Sequence, residues 1–327
     1  MTQKEAVQAM LRGERVDRIV DGWAPFQVVF DDLLMHTSPA RPGVTVVDAW
    51  GVTMDWSDTN QPGSMPLEDE EHLVCPDITE WRSYIKEPDV RGMELDWGSG
   101  FGQKAAAEAA GKFAMGFMPV GVFELFHNIL GFEEALVSLL AEPDDAHELI
   151  DAIFDYKMAC VERLAAGWHP DGIVFHDDWG SKDNLLMPPD VWRDYFKQGY
   201  KKLFDLVHAN GMFVMHHSDS RNDLIVRDME EIGIDIWQGV LPQSDILQMQ
   251  KDCTTNMLFM GGLDSAVIDH KDIDPEIVRK EVFRACDAYL PGGKFIPSVT
   301  YGMAGAIFEG VDAAVTSAID ELNAKRA

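Results

Sequence analysis

Four apolar runs in this chain end in side chains that can move protons, bind metal ions or hold a substrate. Met212-Phe213-Val214-Met215 is followed by His216-His217-Ser218-Asp219, and Ile173-Val174-Phe175 by His176-Asp177-Asp178. Met257 to Met260 runs into Gly261-Gly262-Leu263-Asp264, and Phe295-Ile296-Pro297 into Ser298-Val299-Thr300-Tyr301. A histidine beside carboxylates has its protonated form favoured, which suits a general acid, and the same side-chain types can hold a divalent cation. His217 and Asp219 project from one strand end and are the first candidates, both as catalytic groups and as metal ligands. Asp178 and Tyr301 complete the expected catalytic set. His216 alternates to the opposite face and is expected in the core, and one of Asp177 and Asp178 can cap a loop ahead of Trp179-Gly180.

Short apolar runs that are each followed by a helical pattern read as buried parallel strands alternating with helices. The expected fold is a (β/α)8 TIM barrel, in which the carboxyl ends of all strands converge on one face. Strands are predicted over 18–23, 112–118, 171–175, 212–216, 233–237, 257–261 and 294–298. Helices are predicted over 4–12, 132–140, 143–166, 190–209, 220–231, 243–252, 275–290 and 304–325, with a further one carrying Phe123 to Phe126. Gly13 supplies a C-terminal stop to the first helix, and Asp144 and Asp145 suit the first turn of the long one behind Pro143. Residues 44–66 alternate and break at Gln61-Pro62-Gly63, which predicts a β-hairpin excursion over the barrel mouth, placed to act as a lid. One domain spanning 1–327 is expected. Trp23, Phe26, Phe117, Trp179, Met215 and Trp237 lie at or near predicted strand ends and would form an apolar wall for a flat ligand. Glu124 and Asp264 are further substrate-binding candidates, although a helix first turn and an N-cap explain them equally well.

Lysine and arginine number 27 against 56 aspartates and glutamates, a formal charge of −29 that repels phosphate backbones and anionic membrane surfaces. Nucleic acid is therefore excluded as a partner. No window approaches the roughly 20 apolar residues of a membrane span, and the amino terminus reads as an amphipathic helix rather than an export signal. A cytoplasmic protein with no membrane partner is expected. The four cysteines, Cys75, Cys160, Cys253 and Cys286, show no Cys-x-x-Cys spacing and are expected to be buried free thiols.

Several collinear segments resemble the uroporphyrinogen decarboxylase superfamily. The run Ala9-Met10-Leu11-Arg12-Gly13-Glu14-Arg15-Val16-Asp17-Arg18 is similar to that family's opening helix and its G-x-x-x-D-R turn. Asp48-Ala49-Trp50-Gly51, the stretch from Gly167 to Asp178, His217-Ser218-Asp219 and Phe295-Ile296-Pro297-Ser298 follow in matching order. Decarboxylases of the family carry an R-Q-A-G-R loop whose cations bind substrate carboxylates. The corresponding segment here, Trp23-Ala24-Pro25-Phe26-Gln27-Val28-Val29-Phe30, has no arginine, which disfavours a polyanionic substrate. The other branch consists of corrinoid-dependent methyltransferases, and its thiol-specific members bind zinc through a His-x-Cys pair and a later Cys. Here His217-Ser218-Asp219 replaces the pair and Tyr301 stands where the later Cys is expected. The chain in this respect resembles the methyltransferase I group that demethylates phenyl methyl ethers.

That resemblance implies a small aromatic methyl ether as substrate, a corrinoid carried by a small separate protein, and zinc as an allowed cofactor; it also allows a homodimer. Cob(I)alamin is nucleophilic enough to attack a methyl carbon, but phenolate leaves poorly, so the ether oxygen must be protonated or metal-coordinated. Alternatives are a corrinoid methyltransferase with another small donor, a decarboxylase, and a noncatalytic corrinoid-protein chaperone or sensor. Some ether-cleaving relatives resemble Glu-x14-Glu-x20-His as a metal pattern, which Glu133, Glu148 and His169 reproduce. Glu148 and His169 flank a predicted helix, and at about 1.5 Å per residue they should stand some 25–30 Å apart, so a shared ion is not expected.

Overall fold

The apolar runs and helical patterns fold into two sheets, seen in a computed structural model that describes residues 1–58, 63–301 and 307–326. The larger sheet is built from β1 (Phe26–Val28), β5 (Phe113–Met118), β6 (Gly172–His176), β7 (Phe213–His217), β8 (Ile236–Val240), β9 (Leu258–Gly262) and β10 (Phe295–Ser298). These seven strands neighbour one another in that order, every pair parallel. The smaller sheet is antiparallel and consists of β2 (Thr45–Val47), β3 (Thr53–Asp55) and β4 (Met65–Pro66).

In a strand, residues two apart share a face, so register decides what the inside of the curled sheet contains. Phe26 pairs with Phe113, and Phe117, Val174, Met215, Ile236 and Leu258 lie at one height across β5 to β9. Phe26, Phe113, Met115, Val174, Met215, Ile236, Leu258, Met260 and Ile296 form one apolar cluster, with Phe117 packed against it. Ala6, Val7 and Met10 of the helix Gln3–Leu11 join this cluster and plug the base of the barrel. A second, larger cluster lies outside the sheet, between its strands and the surrounding helices, and it holds Phe175, Trp179, Trp237 and Phe259.

Two strand expectations need correction. Residues 18–23 are extended chain rather than a strand. Ile19 donates its N–H to Asn323 Oδ1 at 2.8 Å and accepts from Asn323 Nδ2 at 3.1 Å, so a side chain of the last helix takes up the backbone groups that a ladder would have used. The fifth predicted strand starts three residues late, at Ile236, because Gly233 adopts φ +98° to end the helix Val226–Ile232 and Ile234 N–H turns back to Met229 O. The helix Pro143–Ala166 is unbroken, as expected. The excursion at 44–66 forms the three-stranded sheet; Gln61 and Pro62 of its expected turn lie outside the described residues. Its Trp50 packs edge-on to Tyr156 at 5.4 Å, which ties the sheet to the flank of the long helix.

The junction after β5 is braced from two neighbouring elements. There the chain turns through Val120, at φ +54°, into the helix Val122–Leu130. Lys157 Nζ, buried on the long helix, donates to Val120 O at 2.6 Å and holds that turn. Asp177, the residue after β6, is fully buried and caps the new helix: Oδ2 accepts from Val122 N and Phe123 N at 3.1 Å, and Oδ1 from Glu124 N at 2.9 Å. Trp179 Nε1 at 2.8 Å and the Tyr200 hydroxyl complete its partners.

Gly121 leaves room for this cap, since a Cβ there would stand 2.1 Å from Asp177. Its φ of −66° suits any residue, so Gly121→Ala tests the contact alone. We expect a loss of about 1–3 kcal/mol in unfolding free energy, the scale of overpacking a buried site. Urea denaturation measures it, and an unchanged midpoint would show that the Asp177 cap is not rigid.

Candidate functional site

The layer above Val174, Met215 and Ile236 is polar. Register places His176 beside His217 and His217 beside Gln238, all on the inward parity of β6, β7 and β8. The two imidazoles stack with centroids 4.4 Å apart and planes at 25°. His176 Nδ1 lies 3.0 Å from Glu124 Oε2, and the same oxygen accepts the Gly121 N–H at 3.2 Å. The helix that Asp177 caps is thus the element that delivers Glu124 to His176.

Burial opposes a charge on His176, but Glu124, followed by Asp178 and Asp177, outweighs it and pushes the imidazole up to about 10. Burial likewise raises Glu124, yet the His176 charge and hydrogen bond bring it down to about 2. These two groups form an imidazolium–carboxylate pair. His217 goes the other way: burial and then the His176 charge pull it down to about 4, against the pull of Asp219. It is neutral at pH 7. Its Nδ1 meets Gln238 Oε1, and Gln238 Nε2 donates to Thr300 O at 2.8 Å. That second bond fixes which end of the amide faces the ring. Oε1 therefore accepts, His217 Nδ1 carries the proton, and Nε2 keeps its lone pair.

Asp178 is held from the other side. Its Oδ1 accepts Ser218 Oγ at 2.8 Å and Asp219 N at 3.0 Å. Ser218 Oγ in turn accepts Asn222 Nδ2 at 2.9 Å and lies 2.7 Å from Ser220 Oγ, so a buried hydroxyl–amide network fixes the carboxylate. Burial pushes Asp178 up to about 6, with His176 acting against the rise and Glu124 adding to it. Among the described residues, His176, Asp178 and His217 bring ligand atoms within 4.8 Å of one another.

The expected site residues are only partly assembled. His217, Asp178 and Glu124 meet. Asp219 adjoins them through its backbone bond to Asp178, and its carboxyl is raised by burial and by Asp178. Tyr301 donates to Asp269 Oδ2 at 2.5 Å, and burial followed by that carboxylate pushes its hydroxyl up to about 12, so its proton is committed elsewhere. Asp264 caps the short helix Ser265–Ile268, accepting Ala266 N at 3.1 Å. Trp179 and Trp237 are fully buried outside the sheet, where Trp179 stacks on His216 at 4.1 Å and Trp237 Nε1 donates to Ser218 O at 2.9 Å; neither presents a surface to a ligand in the barrel. His216 belongs to that outer packing. Phe26 sits in the lowest inner layer, stacked on Phe113 at 5.6 Å, with Trp23 edge-on to it at 6.2 Å. Phe117 and Met215 lie in the apolar layer beneath the histidines.

Glu133, Glu148 and His169 do not converge. Glu148 pairs with Arg82 early in the unbroken helix Pro143–Ala166, and His169 follows its far end. The four cysteines are free and buried. Sequence reasoning missed His176 and Gln238 as site residues. The signal was the period of two: His176 shares the parity of Val174, and Gln238 that of Ile236.

Side-chain 15N NMR of the metal-free protein at pH 7 should show His217 neutral with its proton on Nδ1, and Gln238→Leu should remove that tautomer preference. A wild-type proton on Nε2 would contradict the assigned hydrogen-bond network.

Comparison with known proteins places this geometry. Residues 104–322, about two-thirds of the chain, match the uroporphyrinogen decarboxylase (URO-D) family. No protein of curated function matches the chain. Among solved structures, a methyltransferase from Methanosarcina mazei superposes with a TM-score of 0.69 at 16% identity, covering 98% of this chain and 99% of that one. An endo-beta-1,4-xylanase from Gloeophyllum trabeum reaches a TM-score of 0.40 at 9% identity over 69% of this chain and 81% of its own, and nothing rests on that likeness. The shared fold is that of a uroporphyrinogen decarboxylase-like (β/α)8 barrel, and the chain belongs to the uroporphyrinogen decarboxylase family.

Proposed function

We propose that this chain is a corrinoid-dependent methyltransferase that moves a methyl group from a small aromatic methyl ether to the cobalt of a separate corrinoid protein. The observation that carries the reading is the composition of the polar layer. Two imidazoles and the carboxylates of Glu124 and Asp178 stand directly on an apolar layer, and among the described residues no arginine or lysine hydrogen-bonds to the histidines or to Asp178. Such a site repels a polycarboxylate and suits a neutral ligand with one oxygen to polarise. Likeness in fold to the Methanosarcina mazei methyltransferase supports the same branch.

The reaction is a displacement at the methyl carbon. The corrinoid supplies the nucleophile; the O–CH3 bond breaks as the new bond to carbon forms, and the aryl oxygen leaves with the electron pair. His176, Asp178 and His217 could hold an electrophile, which would neutralise that oxygen. Attack has to come from the side of the methyl carbon opposite the oxygen, so the polar layer forms the pocket floor and the mouth stays open to the partner carrying the cobalt.

The test combines the purified protein, a reduced corrinoid protein and methoxyarenes of the guaiacol and veratrole type. We expect release of the phenol and the absorption spectrum of the methylated corrinoid, with His217→Ala and Asp219→Ala each slowing transfer roughly 100-fold or more. Demethylation without any corrinoid, no transfer from a broad methoxyarene panel, or coproporphyrinogen formed from uroporphyrinogen would each overturn the proposal.

A further inference from the structure

We infer that His176 Nε2, His217 Nε2 and a carboxylate oxygen of Asp178 form a binding site for one divalent transition-metal ion of the zinc class. Three observations converge. First, each of the three residues already brings a ligand atom within 4.8 Å of those of the other two, on adjacent strand ends whose register is fixed by ladders below them. Small side-chain rotations would bring all three to the roughly 2.0–2.2 Å that zinc requires of nitrogen and oxygen ligands.

Second, each imidazole has its other nitrogen taken, and the ion displaces the Nε2 proton that His176 carries in the metal-free protein. Glu124 holds His176 Nδ1 at 3.0 Å, and Gln238, itself fixed by Thr300 O, holds Nδ1 of His217. A carboxylate or carbonyl partner on the far nitrogen is how metal-bound histidines are oriented and made better donors. Asp178 follows the same pattern, with Oδ1 engaged by Ser218 and Asp219 and no partner for Oδ2 among the described residues. Third, the neighbourhood is built for a cation. Glu124, Asp177, Asp178 and Asp219 surround the histidines, while the nearest buried lysine, Lys157, spends its ammonium on the Pro119 and Val120 carbonyls.

The donor set of two nitrogens and one oxygen leaves a coordination position open, which distinguishes a catalytic ion from a structural one. No cysteine takes part. Asp219, the expected partner of His217, is not among the converging ligands; it holds Asp178 through its backbone N–H. This inference gives an identity to the electrophile of the proposed transfer, but its test does not use that reaction.

The full chain is stripped with a chelator and titrated with Zn2+ and with Co2+, following bound metal by elemental analysis and the d–d bands of cobalt. One equivalent per chain is expected, with a rise in melting temperature on binding. His176→Ala, His217→Ala and Asp178→Ala should each lower affinity at least 100-fold, Glu124→Gln and Gln238→Ala about 10–100-fold, and Asp219→Asn and Cys160→Ser should retain the full equivalent. Circular dichroism checks that each variant is folded; where an alanine variant is not, His176→Gln or His217→Gln replaces it. No binding to the wild type, an equivalent retained in folded His176 and His217 variants, or metal lost in Asp219→Asn would overturn the site. Metal binding without methyl transfer would leave the site standing and refute the functional proposal alone.

Discussion

Parallel, in-register pairing of β6, β7 and β8 sets one height for His176, His217 and Gln238, and the rest of the site is organised around that layer. A slip of one residue in any of the three strands would exchange inside for outside. In β7 it would bring His216 into the barrel and drive His217 into the packing of Trp179 and Tyr200. The register is held from both faces. Val174, Met215 and Ile236 fill the layer below, while Phe175, His216 and Trp237 fill the outer layer against the helices. The apolar packing that stabilises the barrel is thus the same packing that aligns two imidazoles to stack at 4.4 Å.

Consecutive carboxylates after β6 show how a strand end divides labour. Asp177 points to the outside, where it caps the helix Val122–Leu130, and Asp178 points to the site. The cap has a consequence one turn away. By fixing the first N–H groups of that helix it fixes Glu124, whose carboxylate decides the charge of His176. That charge then lowers His217, so a structural hydrogen bond outside the barrel reaches the protonation of a ring inside it. Lys157 on the Val120 carbonyl supports the strained turn on which this chain of contacts depends.

Much of this was legible in the residues. Long periodic segments such as 143–166, and apolar runs bounded by polar clusters, located most of the barrel elements to within one to three residues, and the alternation argument separated His216 from His217. Other parts were hidden for physical reasons. The ladder groups near Ile19 are claimed by Asn323, more than three hundred positions away, and no local pattern announces that. Trp237, expected at a strand end, is instead the second residue of β8, and parity turns its side chain outward; Trp179, three residues beyond β6, also packs outside the sheet. Gln238 reads as an ordinary polar residue until the register sets it beside His217 and Thr300 O fixes its amide.

The absent arginines and the strong negative charge of the chain bear on the same question from two scales. Over the whole molecule, 56 acidic against 27 basic residues repel polyanions at a distance, though salt screens that field beyond about 10 Å. Close in, the carboxylates of Glu124, Asp178 and Asp219 stand around two histidines, and here low dielectric makes each charge count for more. A substrate bearing several carboxylates would meet both fields unfavourably. A cation meets the inner one favourably, since the His176–Glu124 pair is internally neutral and the remaining carboxylates favour positive charge at the centre of the layer. Members of one barrel family can thus part in chemistry through the residues placed on a shared register. The strands supply equivalent positions, and the side chains standing at their ends decide whether the mouth takes up anions or supports an electrophile.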